Sequence, residues 1–383
     1  MNDFKKGTYA FDKDFLQNHC SLIELRNGDA AIAIVPEYQG RVMTSTCKGD
    51  AGFSFGWINH EAISERKLKK QFNPFGGEER FWLGPEGGQF SLYFEKDTSF
   101  DFKNWQVPSV IDKEGFDLVD CKQESVLFRK EFELKNYSGF EFKAEVNREI
   151  HLLSKTRIAY HLNSNIEDLS VVAYQSSNVL KNIGKEDWTK EKGLISIWML
   201  GMYTPSDDVC VVIPVKPGVE KELGTKVNDN YFGKISEDRL KVIDDRIYFR
   251  ADGKSRGKIG VSPQRATKFM GSYDMKNQSL TILECELPSD NTDFVNSAWE
   301  TQQNPFDGDA LNSYNDGPLE DGSQMGPFYE LESSSPALEL KPNESYKHVQ
   351  RTYHFQGEPA QLNQIALNVL GTSLQKIVEL IHQ

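Results

Sequence analysis

Cysteine is scarce in this 383-residue chain. Cys20, Cys47, Cys121, Cys210 and Cys285 are odd in number, far apart, and never in a CxxC spacing. That speaks against a zinc knuckle and against a disulfide framework. Cys47, Cys210 and Cys285 lie in apolar or alternating runs and read as small core residues. Histidine is also rare, seven in all, with neither HxH nor HExxH, so no metal site is expected. Positive charge falls short of negative, 44 Lys and Arg against 57 Asp and Glu, a formal charge of −13. An acidic chain suits neither nucleic acid nor anionic membranes, which call for basic patches. No apolar run reaches the length of about 18 residues that spans a bilayer. The N-terminus, MNDFKKGTYAFDKDFLQ, has no apolar segment and does not read as a secretory signal. With the cysteine pattern this points to a reducing compartment such as the cytoplasm; an exported protein whose signal was removed is the alternative. Walker A and GxGxxG are absent, so no nucleotide cofactor is expected. One GxSxG match, Gly52 to Gly56 around Ser54, is followed by Trp57-Ile58-Asn59 in a β-rich setting and reads as chance. The sequons at Asn136, Asn277 and Asn343 are short enough to arise the same way.

What the chain does have is a period of two. From 138 to 151, Phe140, Phe142, Ala144, Val146 and Ile150 face one way, with Arg148 the exception on that side. Glu141, Lys143, Glu145, Asn147, Glu149 and His151 face the other. This is the pattern of a half-buried antiparallel strand. Similar runs recur at 22–25, 30–35, 41–46, 90–95, 125–134, 156–163, 194–200, 209–215, 246–250, 279–287, 328–332, 337–340 and 346–355, most of them separated by turn signals. The expected fold class is therefore a large all-β architecture, not a parallel α/β sheet. A short helix is expected within 60–71. Beyond Glu358, Leu362, Ile365, Val369 and Leu370, then Leu374, Ile377 and Ile381, mark two amphipathic helices divided by Gly371, with Thr372 or Ser373 as the second cap. Residues 358–383 are expected to cover the sheet. Neither repeat nor linker interrupts the chain, so 1–383 reads as one domain.

Residues 73–94 carry the densest chemistry. Five glycines and two prolines frame Glu78, Glu79, Arg80, Trp82 and Glu86. Carboxylates and Arg bond hydroxyls in pairs, and an indole covers the apolar face of a pyranose. A turn-rich loop with a local ion pair and a core indole is the plainer reading. Glu330 and Glu332, two apart on a strand, share a face. Neighbouring carboxyls raise one pKa and so suit acid/base work; two solvated glutamates on an outer face are the alternative. Asn315 and Asp316 sit in a turn sequence, where an Asx-turn is the common role. The amides and hydroxyls of 174–184, Gln175 and Asn178 among them, suit sugar hydroxyls or simply a strand ending in a turn. His151 and His161 are expected on strands, and His348 and His354 on one face of a late strand.

In order, the chain shows Gly40-Arg41-Val42-Met43, the Gly-Gly-Glu-Glu-Arg-Phe-Trp-Leu-Gly-Pro-Glu-Gly-Gly loop at 76–88, a central block with Asn178, Asn182 and Gly184, then Glu-Leu-Glu-Ser-Ser-Ser-Pro-Ala and Leu-Lys-Pro-Asn-Glu-Ser. This arrangement resembles the galactose-mutarotase-like superfamily, in an uncharacterised bacterial branch. The resemblance covers nearly the whole chain. It implies a β-supersandwich with carbohydrate on the concave face of one large sheet. It also implies a late-strand glutamate that takes the anomeric proton, matched by Glu332 with Glu330 as the close alternative, and an early arginine, matched by Arg80. The family's central histidine, which protonates the ring oxygen, has no match: Tyr174 to Asn178 stand in its place.

The first functional expectation is thus an aldose 1-epimerase-like enzyme with Glu332 as base. Glu330 or His161 would be the acid. Arg80, Trp82 and Glu86 would form one wall, with Gln175, Asn178, Asn315 and Asp316 as hydroxyl partners. The expected partner is a small-molecule carbohydrate, with no cofactor and no metal. The missing histidine leaves a non-catalytic sugar-binding protein as the second expectation; a glycan lyase or hydrolase is the third.

Overall fold

The computed structural model describes residues 4–290 and 292–381. The described residues form eighteen strands. The first nine are β1 (Ile23–Asn27), β2 (Ala30–Val35), β3 (Arg41–Thr46), β4 (Arg80–Gly84), β5 (Asp117–Cys121), β6 (Ser125–Lys135), β7 (Glu141–Leu152), β8 (Ser170–Asn182) and β9 (Ser196–Tyr203). The rest are β10 (Val209–Pro214), β11 (Leu240–Ile243), β12 (Arg246–Arg250), β13 (Gly257–Val261), β14 (Phe269–Asp274), β15 (Ser279–Cys285), β16 (Leu311–Asn315), β17 (Tyr329–Ser334) and β18 (Ser345–Gln356). They build three antiparallel sheets: a ten-stranded one ordered β11-β12-β10-β14-β15-β18-β8-β7-β6-β5, a five-stranded one ordered β13-β16-β17-β9-β4, and a small one of β1-β2-β3. The all-β expectation holds.

Strand β7 shows how sequence becomes layer. Phe142, Ala144, Val146 and Ile150 are buried, while Glu141 and Lys143 face solvent. The buried face of the ten-stranded sheet meets the five-stranded sheet, and Val146, Ile150, Tyr174 and Leu180 share a core with Phe81, Leu83, Ile197 and Met199. The outer face of the large sheet carries the C-terminal segment. There the helices Pro359–Ile365 and Leu374–Ile381, joined through a π-helical turn, set Leu362, Ile365, Leu370 and Ile377 against Ala173, Tyr248, Ile282 and Phe355. Gly371 takes a left-handed φ of 66° between them, and Ser373 Oγ accepts a bond from Lys376 N at 3.1 Å.

Several elements differ from the sequence reading. Residues 156–162 fall in a helix, Lys155–Leu162, which Asn163 ends in left-handed backbone and whose N-terminus the Ser154 hydroxyl caps by accepting from Arg157 N. Residues 90–95 form turns, and of 337–340 only an isolated bridge between Ile195 and Leu338 remains. The helix within 60–71 is His60–Glu65, capped by Asn59 and ended by Arg66 in left-handed backbone. Strands β4, β5, β11, β13, β14 and β16 were not expected. Among the described residues no helix is long and apolar enough to cross a membrane.

Candidate functional site

The site is built on the five-stranded sheet, whose central strand is β17. Alternation along β17 turns Leu331 into the core and Glu330 and Glu332 to the opposite face. Cross-strand register then sets the neighbours. Lys258, Tyr314, Glu330 and Met202 lie in one row across β13, β16, β17 and β9. Asn312, Glu332, Leu200 and Arg80 form the next row, and Ser334, Trp198 and Trp82 a third. Above this floor lies a cleft of about 1220 Å³, walled by loops that contribute Phe72, Glu86, Trp105, Tyr231 and Trp299. The cleft is on the five-stranded sheet. The larger sheet spends its inner face on the core.

Two ion pairs organise the floor. Arg80 Nη2 donates to Glu330 Oε1 in a short contact between two buried side chains. Glu332 Oε2 accepts both from Lys258 Nζ at 3.0 Å and from the Trp198 indole N–H at 2.8 Å. Lys258 also lies 4.7 Å from the centre of the Trp198 ring, and Arg80 lies 4.8 Å from that of Trp82. Burial pushes the Glu330 carboxyl up to about 7; Arg80 and Lys258 oppose the rise, and Glu332 and Asp316 add to it. Half-buried Glu86 is raised by the same desolvation, partly offset by Lys258. Burial depresses the Lys258 ammonium, but Glu332, Glu86 and Glu330 more than offset this, so it is held above the usual lysine value. Asp316, raised by burial, accepts from Tyr314 Oη at 3.0 Å. Buried polar atoms here with no hydrogen-bond partner among the described residues include Glu332 Oε1, Arg80 Nε, Trp82 Nε1 and Ser196 Oγ. A carboxyl that is half protonated near neutrality, a second carboxyl bound to a cation, and unpaired polar atoms can hold a hydroxylated ligand and move protons on it.

Residues 7–381 match a protein family described as a family of unknown function, DUF6786. The chain belongs to that family. None of the curated proteins matches it in sequence. Among solved structures, the DUF6786 chain is similar to a putative aldose 1-epimerase from Escherichia coli K12, at 11% identity and a TM-score of 0.51, covering 87% of this chain and 98% of that one. A galactose mutarotase-like protein from Lactobacillus casei gives 11% identity and a TM-score of 0.50, over 87% and 100% of the two chains. The Slr1438 protein from Synechocystis gives 10% identity and a TM-score of 0.52, over 94% and 100%. The fold of this DUF6786 protein is therefore the galactose-mutarotase-like all-β fold.

Of the residues singled out in the sequence, the fold brings Arg80, Trp82, Glu86, Asp316 and Glu330 to the cleft. Glu332 shares their floor but is fully buried beneath Lys258 and Trp198. The others lie elsewhere. Gln175 is on the outer face of the ten-stranded sheet, where its Oε1 accepts from Arg351 Nε at 2.7 Å. Asn178 is buried between the sheets and accepts from Arg148 Nη1 at 2.6 Å. Asn315 clamps a neighbouring loop, accepting from Gly253 N and donating to Ser255 O, both at 2.8 Å. His161, expected on a strand, is on the helix Lys155–Leu162 near Arg351 and Glu284, with burial and Arg351 holding its pKa down. Among the described residues no histidine lines the cleft. Sequence reading missed Lys258, Trp198, Tyr231 and Trp299. For Lys258, in Gly-Lys-Ile-Gly-Val, no sequence signal separates it from a solvated strand lysine. Trp198 could have been found, because it lies in a run whose alternation would aim its indole away from the core.

Proposed function

We propose that this protein is a carbohydrate-active enzyme of the aldose 1-epimerase type. The observation that carries this reading is the pair of carboxyl groups on β17, one against Arg80 and the other against Lys258 and Trp198. Glu330, protonated, gives its proton to the ring oxygen of a bound sugar. As the bond between C1 and that oxygen breaks, Glu332, uncovered when the Lys258 side chain moves off it, takes the proton of the C1 hydroxyl through Oε1, leaving an open-chain aldehyde. Rotation about C1–C2 and reversal of both transfers closes the ring as the other anomer. The high-pKa Lys258 is a poor proton donor near neutrality, so its part is to hold Glu332 and balance charge, and Glu330 takes the acid role that the resemblance gives to a histidine.

The test is NMR exchange between α and β anomers across a monosaccharide panel. Wild type accelerates exchange for at least one sugar. Glu330→Gln and Glu332→Gln each lose about a hundredfold or more, as expected for removing a proton-transfer group. Unchanged exchange in both variants would sink the mechanism. A second reading, a sugar-binding protein without turnover, is favoured by the absence of histidine among the residues lining the cleft. It predicts binding without accelerated exchange.

A further inference from the structure

We infer that the cleft takes an oligosaccharide, with one terminal sugar over β17 and the following units leaving toward Phe102; this rests on the carbohydrate reading above. At about 1220 Å³ the cleft exceeds the range of roughly 300–1,000 Å³ common for small-molecule sites. A single pyranose over Glu330 would leave most of it filled with water.

The distribution of aromatic side chains gives the direction. From the floor, Trp198 meets Trp82 at a ring-centre distance of 5.6 Å, Trp82 meets Phe72 at 5.6 Å, and Phe72 meets Trp105 at 5.8 Å. Trp105 is stacked with Phe102 at 5.9 Å and with Trp299 at 6.0 Å. The run starts at the carboxylates and ends in Phe102, which lines the cleft and is 65% exposed. A large aromatic held that far into water at a cleft rim is what a stacked sugar would cover. Along the same path, Trp82 Nε1 is buried without a hydrogen-bond partner among the described residues, a donor ready for a sugar hydroxyl.

Phe232 is exposed as well, at 47%, but the Arg256 guanidinium sits 3.8 Å from its ring centre and Tyr314 meets the ring at 6.0 Å, so it offers less free ring than Phe102. On the floor, Arg80 is bonded to Glu330 and Lys258 to Glu332. Both floor cations thus have carboxyl partners of the protein's own, and Glu86, Asp309 and Asp316 add further acidic groups to the cleft, which fits a neutral chain better than one bearing a carboxylate on every unit.

Calorimetric titration of the full chain with glucose, galactose and mannose, and with α1,4- and β1,4-linked tetrasaccharides of each, tests this. The expected result is that one tetrasaccharide binds at least tenfold more tightly than its own monosaccharide. Phe102→Ala, at an exposed position, should cut that ratio severalfold, and Phe232→Ala should leave it in place. Equal affinity for tetrasaccharide and monosaccharide overturns the inference while leaving the carbohydrate reading intact. So does a ratio that falls in Phe232→Ala but not in Phe102→Ala. If none of the sugars binds, the carbohydrate reading fails and this inference with it.

Discussion

Arg148 is the one charged residue on the apolar side of β7, and its burial shows how much the interior depends on single pairs. It and Glu79 are both fully buried, with Nη2 2.7 Å from Glu79 Oε1, and its remaining donors reach Asn178 and Gly40 O. Glu79 Oε2 accepts from Gln350, whose own oxygen accepts from Ser333. Removing one partner of such a pair strands a charge, so Arg148→Met should cost about 3–5 kcal/mol, read from the urea midpoint. The paired change Arg148→Met with Glu79→Leu should cost less than Arg148→Met alone. Glu330 makes a pH prediction. With its pKa raised from 4.5 to about 7, the folded protein keeps a proton that the unfolded chain releases across that window. The folded state then binds more protons, and this contribution to stability, full below 4.5, is lost as pH rises to about 7. Glu330→Gln should remove that part of the slope when urea midpoints are compared from pH 4.5 to 8. An acid role also requires exchange activity to fall above about pH 7, where the carboxyl is ionised. None of this pairing was legible in the sequence. Arg148 looked like a flaw in an alternating strand, because the carboxylate that explains it lies 69 positions away.

At the scale of elements, what could be read depended on what each strand faces. Strands of the ten-stranded sheet that show polar side chains to water, such as β6 and β7, announce themselves by alternation. Of the floor strands, β9 and β17 were legible, but β4, β13 and β16 were not. β16 is buried at every position, since one side meets the core and the other the cleft. Its cleft-facing residues, Asn312 and Tyr314, are mixed in polarity, so no period of two emerges. β4 was further disguised by the glycines and proline around it, which read as loop. Helix capping decided 155–162, where β-compatible residues follow a serine in position to cap. The crowding around β9 makes its own prediction. At Gly201, an added Cβ would fall against the Tyr203 hydroxyl and the backbone oxygen of Glu78. Gly201→Ala should therefore cost about 1–3 kcal/mol from overpacking, seen as a lower Tm. It should also weaken sugar binding, because β9 sits between β17 and β4 and holds their register.

On the scale of the whole molecule, the candidate site is a long-range construction. Arg80 and Glu330 are 250 positions apart, and Lys258 and Glu332 are 74 apart, so the floor exists only once the five strands have paired. The resemblance in the sequence pointed to the right fold because it spans the chain, but it did not say which sheet carries the cleft. Which face of a sandwich stays open is decided by packing that no local pattern records. The C-terminal segment lies on the far side of the large sheet from the cleft, and this separation can be tested. Ile377 is fully buried in the cluster that joins the tail to Tyr248, Ile282 and Phe355. Ile377→Ala should remove about 2–5 kcal/mol of stability through the cavity it leaves, lowering the Tm of the full chain. Because Ile377 touches neither the carboxyl pair nor the aromatic run, anomer exchange and tetrasaccharide affinity measured well below that lower Tm should match wild type. A variant that melts early but binds normally would assign the tail to stability. Loss of binding at a temperature where the variant remains folded would mean that packing on the outer face sets the geometry of the floor through the intervening sheet.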